Sequence, residues 1–561
     1  MINRTLWSIY MVLNLILEQF FMKKRILVLT SILISTLFLS NTQASDKFRI
    51  LAQGSDLSGP NGLMFDADDN LYVASIVGKE IVVMNPDEFG VLKRIAPKIG
   101  VGPDDIAFGP DGALYWTSPL DGFVGRIAPD GTVTTQFVAI GVNPITFSDS
   151  GRLLVACNLI GVGLYELDPM LQNPPQVITT EIGFLNGMDW GPDGKLYAPM
   201  PDYGKIVRID VDARPLVIET AAEGMVRPVA VKFNSKDQLH AIDNITGEIW
   251  QIDLQTGRKD LYATTSAGLD NLAFDSSDRL FIANSIKGIV GQVYHSGYVK
   301  KLNRKGMSQP GGIATLPRKY RLSESVFVAD VYSLREYNSI TGRELSVHGD
   351  SSGIYYPLTV SPQGKNLILS SWFAGTVQIW DPQNKQILKN YFNFVTPMNA
   401  ISFQDDLIVA ELGANAGEAR ILRVGKNETI TLADVSNNLY LPVGLASDNN
   451  NLWVSDAATG MVWQILEAGN LVPVASGLSS PEGLSLDKHG NLLVVEAGAN
   501  RLSRINLATG AISIVKEGLE NGDVGIPGTP PTFTMNGVAV GKFGRIFTTG
   551  DRGNVIYASK Y

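Results

Sequence analysis

Across 561 residues the chain carries one cysteine, Cys157. A single thiol forms no internal disulfide, which excludes the disulfide-stapled class of scaffolds. Cys157 closes the apolar run Leu153-Leu154-Val155-Ala156-Cys157, the setting of a small buried hydrophobe rather than a nucleophile. Histidine is almost as scarce. His240, His295, His348 and His489 are scattered, with no His-x-x-x-His or His-Glu pairing, so the spacing of a zinc site is missing. There is no Gly-x-Ser-x-Gly elbow and no phosphate-binding loop. Lysine and arginine do not cluster in the body of the chain, and the formal net charge is -9, so no nucleic acid is expected as a partner. An acidic surface suits a cation or a neutral small molecule and selects neither.

Long hydrophobic runs are missing too. Met22-Lys23-Lys24-Arg25 is a basic start, Ile26 to Leu39 a short apolar stretch, and Ser40 to Ala44 a small polar segment ending Thr42-Gln43-Ala44. That is the pattern of a secretory signal peptide over residues 1–44, with residues 1–21 as an upstream extension. An uncleaved anchor is the alternative, since Leu6 to Phe21 is also apolar. Neither stretch reaches the ~20 uninterrupted apolar residues of a membrane span. The expectation is a secreted or periplasmic protein with no stable span after cleavage.

A repeat dominates the rest. From Gly59 the chain reads GPNGLMFDADDNLYVAS, from Gly102 GPDDIAFGPDGALYWTS, from Leu185 LNGMDWGPDGKLYAP and from Leu269 LDNLAFDSSDRLFIANS. Ser480 still opens SPEGLSLDKHGNLLVVEAG. Each phrase is an alternating apolar strand, a Gly/Asp/Asn turn such as Pro110-Asp111-Gly112, and a second apolar strand, which is a hairpin. A third strand and a more polar fourth follow, as at Lys205 to Ile209 and Pro215 to Thr220. Four antiparallel strands at a period of about 40 residues make a propeller blade. Opening positions fall at Asn61, Asp104, Asn143, Asn186, Val229 and Asp270, then at Gly311, Tyr356, Asn399, Val443, Glu482 and Asn536.

These twelve units predict an all-β chain of two tandem six-bladed β-propellers, residues 45–296 and 297–561. The expected closure pairs Phe48 to Ala52 with the sixth blade and Tyr298 to Leu302 with the twelfth. One giant ring or a seven-plus-five split would leave a sheet edge badly placed. The longest insertion, Glu520 to Phe533, is expected as a loop on the channel-entry face.

Five of the first six opening residues are Asn or Asp, hard oxygen donors of the kind calcium takes. Asp104 and Asp270 supply charge, while Asn61, Asn143, Asn186 and Asn271 supply neutral oxygens. A cation at the channel mouth would polarise a lactone or ester carbonyl and acidify water. Asp104 or its neighbour Asp105 is the candidate general base. Asn-Gly and Asp-Gly are also common turn pairs, so a purely conformational role stands beside the metal reading. Asn399, Glu482 and Asn536 form a second candidate set. Trp190, Trp250, Trp372, Trp380, Trp453 and Trp463 fall in strands and read as inter-blade packing, or at a loop as a sugar-stacking surface.

The pieces Pro60-Asn61-Gly62-Leu63, Leu185-Asn186-Gly187-Met188 and Leu269-Asp270-Asn271-Leu272 resemble the six-bladed propellers of the gluconolactonase/senescence marker protein, paraoxonase and strictosidine synthase group. NHL-type repeats and the streptogramin lyases share the wider phrase pattern. The resemblance implies metal ligands at these places, with Asp270-Asn271 similar to the paired ligands of paraoxonase-like sites. Asn399, Glu482 and Asn536 resemble the three-ligand gluconolactonase set. Departures are Asn61 where the lactonases open on Glu, and no identifiable paraoxonase histidine dyad. The implied function is calcium-dependent hydrolysis of a small lactone, ester or sugar-derived substrate. The alternative is a non-catalytic scaffold for a glycan, peptide or partner protein.

Overall fold

A computed structural model describes residues 48–318, 323–448, 450–466 and 469–560. The expected signal peptide and its extension lie outside the described residues. Twelve four-stranded antiparallel sheets make up the chain, with four short 3-10 turns as the helical elements among the described residues. No helix among them is long and apolar enough to cross a membrane.

Blades 1 to 6 span 63–95, 106–137, 142–179, 189–223, 228–264 and 269–301. Blades 7 to 11 span 310–348, 359–391, 397–434, 442–475 and 481–517, and blade 12 starts at Val538. The first hairpin of a blade turns through a left-handed residue. Glycine takes it at Gly112 (φ 76) and Gly194 (φ 71), and aspartate at Asp69, Asp237 and Asp278 (φ 59 each). Small branched side chains between neighbouring sheets form the cores. Leu63, Leu71 and Val73 of blade 1, for instance, pack on Ala273, Phe281 and Ala283 of blade 6.

That packing closes the first propeller, helped by Ser276 N donating to Asp69 Oδ1 (2.9 Å). The second closes where Gly537 N of the twelfth unit donates to Gly311 O of the seventh (3.3 Å). The twelve sheets are therefore two six-bladed propellers.

The closing strands differ from the expectation. Phe48–Gln53 pairs with Val555–Ser559 and completes blade 12, and Val299–Lys301 pairs with Ile289–Val293 and completes blade 6. The reason is local. Tyr294 N donates to Tyr298 O (3.0 Å) and Gly297 N to Tyr294 O (2.8 Å), a tight hairpin that costs little closure entropy. Blade 12 is then one strand short, and the N-terminal strand fills the place. The chain thus crosses between propellers twice, and the crossings are tied together by Ser55 N on Met307 O (2.7 Å) and Arg304 on Asp56.

The two propellers also share an apolar contact. Val77 packs with Val331, Leu358, Ile526 and Phe533, the last two from the insertion before blade 12. Lys79 pairs with Asp523 (2.5 Å), Arg227 with Asp350 (2.5 Å), and the Arg335 guanidinium donates to Ile286 O.

Candidate functional site

A bulge sets the side chains that face each channel. Register shifts between Val142 and Ile145, Pro228 and Ala230, and Leu269 and Asn271 leave Asn143, Val229 and Asp270 in the irregular step. Bulges re-aim side chains out of strand alternation. The glycines after Asn61 and Asn186 have a packing cause. A Cβ on Gly62 would lie 2.5 Å from Asp104 O, and one on Gly187 would lie 2.5 Å from Ala230 Cβ. Inner strands converge there, and glycine lets them meet.

A second recurring device ties the loop before each inner strand. Asp243 Oδ2 accepts from Val226 N (2.7 Å) and Arg227 N (2.8 Å), and Asp330 Oδ1 accepts from Ser308 N and Gln309 N. Asp456 does the same for Tyr440 N and Leu441 N, Glu411 for Val395 N and Glu496 for Ser479 N. These buried acids end the second strand of their blades. They recur in the sequence as HAID, FVAD, WVSD, IVAE and LVVE, a signal that the ring motif overshadows.

The first ring is assembled around one cavity of about 260 Å³, bordered by Asn61, Asp104, Asn143, Asn186 and Asp270. Asp104 is buried, and its Oδ1 has no hydrogen-bond partner among the described residues. Burial, then the charges of Asp270 and Asp105, hold its carboxyl well above the usual range. Asp270 is pushed up to about 7 by burial and by Asp105, against the pull of Arg227. Asn143 Nδ2 approaches Asn186 Oδ1 at 3.4 Å, and Thr117 Oγ1 approaches Asn143 Oδ1 at 3.4 Å.

Asp105 and Asn271 are placed differently. Asp105 Oδ1 accepts from Ile106 N (3.1 Å) and Asn271 Nδ2 (3.1 Å), and Oδ2 accepts from Ile145 N (3.2 Å). Asn271 Oδ1 is taken by Leu272 N (2.8 Å). The pair spans the channel from blade 2 to blade 6, with blade 3 attached. Burial raises the Asp105 carboxyl, offset by Lys232 and these bonds. Its oxygens are committed to holding blades together.

The opposite wall belongs to the second propeller: Val331, Tyr332, Asp350, Tyr356, Phe373 and Phe533 border the same cavity. Gly59 makes room for this contact, since a Cβ there would lie 2.6 Å from Tyr332 Cε2. Val331 (φ 30) and Tyr356 (φ 44) hold left-handed backbone, unusual for a β-branched and a bulky residue and found preferentially at functional positions. The sequence carries no signal for this wall, because it arises only from docking of the two propellers.

The second candidate set is brought together only in part: Glu482 and Asn536 meet, with Glu482 Oε1 lacking a hydrogen-bond partner among the described residues, while Asn399 stands apart. Bulges there fall between Pro397 and Asn399 and between Pro481 and Leu484, so Met398 rather than Asn399 occupies the irregular step. Gly312 N reaches Leu358 O, two residues beyond Tyr356. Met398, Val443 and Met535 pack against one another, and Asn399 lines a separate channel space of about 200 Å³ beside Ser361. Glu482 Oε2 accepts from Asn536 N (2.7 Å) and Nδ2 (3.0 Å), and the same Nδ2 donates to Asp551 Oδ2 (3.1 Å). Asn536 Oδ1 accepts from Asp551 N (3.2 Å), so the amide presents its donor side to both acids. Burial and Asp551 raise Glu482 to about 8, and burial and Asp523 raise Asp551 to about 7.

Asp104, Asp270 and three asparagines around a small cavity are a donor set that fits a hard divalent cation. The bare Oδ1 of Asp104 is the observation that supports the fit.

Residues 89–127 match the strictosidine synthase-like, N-terminal family. A gluconolactonase from Xanthomonas campestris is 17% identical, with a TM-score of 0.36 over 42% of this chain and 86% of that one. The extracellular domain of a putative one component system from B. thetaiotaomicron is 12% identical, with a TM-score of 0.31 over 92% and 79%. Protein transport protein SEC31 from Kluyveromyces lactis is 24% identical over 230 residues, 37% of this chain. The chain spans 18% of that relative's length. The chain is thus a double six-bladed β-propeller that, over residues 89–127, is similar to the strictosidine synthase-like, N-terminal family.

Proposed function

We propose that the protein is an exported, calcium-dependent hydrolase of small lactones or esters, working in the cavity between its two propellers. The observation that carries this reading is the buried, unpartnered Asp104 Oδ1 beside Asp270 in a cavity of about 260 Å³. Asp270 with the amide oxygens of Asn61, Asn143 and Asn186 would hold the cation, and Asp104 completes that set or takes a proton. When bound, the cation supplies Lewis-acid polarisation of the carbonyl and lowers the pKa of water.

The chain's own residues do the rest. A general base works best with a pKa near the operating pH, and burial moves both ring carboxyls in that direction. Asp104 keeps an oxygen free to accept the proton, whereas Asp105 has none to spare. The asparagine pair of blades 3 and 4 orients the carbonyl end, and the second propeller excludes bulk water. Space on this scale holds roughly nine waters at liquid density. A small molecule suits it, and a glycan chain or folded partner does not.

The test is hydrolysis of a panel of γ- and δ-lactones and aryl esters by metal-stripped protein with and without calcium. The expected result is activity that a chelator removes, calcium restores and Asp270→Asn lowers at least about 100-fold, as for loss of a key electrostatic group. Calcium-saturated protein inert on the whole panel would overturn the reading.

A further inference from the structure

We infer that the second propeller selects the substrate, and that it selects lactones or esters carrying an aromatic or compact aliphatic group over polyhydroxylated sugar lactones. This rests on the hydrolase reading of the cavity, and it adds which half of the molecule recognises what.

The two halves of the cavity differ in chemistry. The first propeller presents carboxylates and amides from Asp104, Asp270, Asn61, Asn143 and Asn186. The second presents Tyr332, Tyr356, Phe373 and Phe533, backed by Trp372 behind the wall, with the Asp350 carboxylate paired to Arg227. Tyr332 meets Tyr356 edge-on at 6.1 Å, Tyr356 meets Phe373 at 5.1 Å, and Phe373 meets Trp372 at 5.9 Å. Trp372 in turn meets Phe533 at 5.4 Å, and its Nε1 donates to Phe533 O (3.0 Å), fixing the end of the surface. Edge-to-face chains of this kind hold their geometry and leave ring faces for a further apolar group.

The mouth continues the same character. Phe373 is 48% exposed, and Leu159 from the first propeller, also bordering the cavity, is 63% exposed. Ile160 beside it is 63% exposed. A ligand therefore passes apolar side chains before it reaches the donor ring.

An amphipathic ligand satisfies both walls at once: oxygens to the ring, carbon to the aromatics. A sugar lactone does not. Its outer hydroxyls would face ring carbons, and each buried hydroxyl without a partner lowers affinity roughly 5- to 150-fold. The two phenol groups of Tyr332 and Tyr356 belong to this wall. They offer donors for an ester or ring oxygen, too few for a polyol.

The experiment compares γ-phenyl-γ-butyrolactone with glucono-δ-lactone, two lactones of similar size and opposite polarity, on calcium-loaded protein. In parallel, calorimetry measures binding of 3-phenylcyclopentanone, an apolar analogue that cannot be hydrolysed. Wild type, Phe373→Ser and Phe373→Leu are used, because Phe373 is half exposed at the rim and its replacement spares the core.

The expected kcat/KM ratio favours the phenyl lactone at least tenfold in the wild type. Phe373→Ser cuts that ratio about tenfold through KM, and Phe373→Leu recovers part of it. Equal or better hydrolysis of glucono-δ-lactone, or a ratio unmoved by Phe373→Ser, would overturn the inference. If neither lactone is hydrolysed, Phe373-dependent binding of the ketone upholds the selectivity while the hydrolase reading falls. No ketone binding overturns the inference directly.

Discussion

Replacing Asp270 by Asn has an effect of opposite sign with and without calcium. Asp270 sits at about 7 in the folded chain against an ordinary 3.8, because burial and Asp105 penalise its charge. A carboxyl raised in the folded state contributes stability that is full below the unfolded value and is lost as pH rises through the folded one. About three units correspond to about 4 kcal/mol of lost stability by pH 8.5. Asn at this position carries no charge, so the metal-free variant should exceed the metal-free wild type at pH 8.5 by about 2–4 kcal/mol. At about 2–4 °C per kcal/mol for domains of this size, the melting temperature should rise by roughly 4–16 °C. At pH 5 the folded Asp270 is neutral but the unfolded carboxyl is already ionised, so the gap should narrow to about 1.6 kcal/mol, and the curves should meet only below the unfolded value of 3.8. Calcium at a hundredfold excess over its Kd should stabilise the wild type by about 2.7 kcal/mol and leave the variant unmoved. Thermal unfolding by near-UV circular dichroism at pH 5 and 8.5, in chelator or in calcium, reads all four conditions. A variant less stable than wild type at pH 8.5 in chelator would refute the charge argument, and an equal calcium shift in both would refute the assignment of the ligand.

Further outcomes follow from the geometry. Asp105→Ala removes the acceptor for Ile145 N, Ile106 N and Asn271 Nδ2 and should destabilise the first propeller by about 2–4 kcal/mol, measured by denaturant unfolding. The same change at Asp104, which holds no such bonds, should cost less than about 1 kcal/mol in chelator. Gly59→Ala places a Cβ 2.6 Å from the Tyr332 ring at φ 64, so a melting temperature that does not fall would count against the docked interface. Cys157 is buried, and burial raises its thiol to about 11, so a thiol reagent should label it at pH 8 only after denaturation. A fragment of residues 297–561 lacks Phe48–Gln53 and bares Val555–Ser559 as a free edge. It should aggregate unless a peptide of residues 48–53 is supplied, which light scattering detects.

Much of the architecture is written in local patterns. Hairpin turns, apolar alternation and the blade period involve residues within one blade, so twelve four-stranded units are readable before any tertiary contact is known. The closing strands are not readable in that way. Val299–Lys301 and Phe48–Gln53 look alike as sequences, and a turn of a few residues after Val293 decides which blade each one joins.

The same split runs through the site. Asn61, Asp104, Asn143, Asn186 and Asp270 meet as spaced because the first six blades keep one phrase length. In blades 8 and 9 the opening position shifts by a residue or two, leaving Leu358 and Met398 at ring level and Tyr356 and Asn399 beside it, while Glu482 stays in the irregular step. The aromatic wall is a product of docking between distant segments, from Val331 to Phe533, and no short-range pattern encodes it.

The proposed cation site is the first ring and not the second. Calorimetric titration of calcium into metal-stripped protein tests it directly, with Asp270→Asn and Glu482→Gln as the paired variants. One calcium per chain is expected in the wild type and in Glu482→Gln, and none in Asp270→Asn. Binding that survives Asp270→Asn, or that disappears with Glu482→Gln, would contradict it.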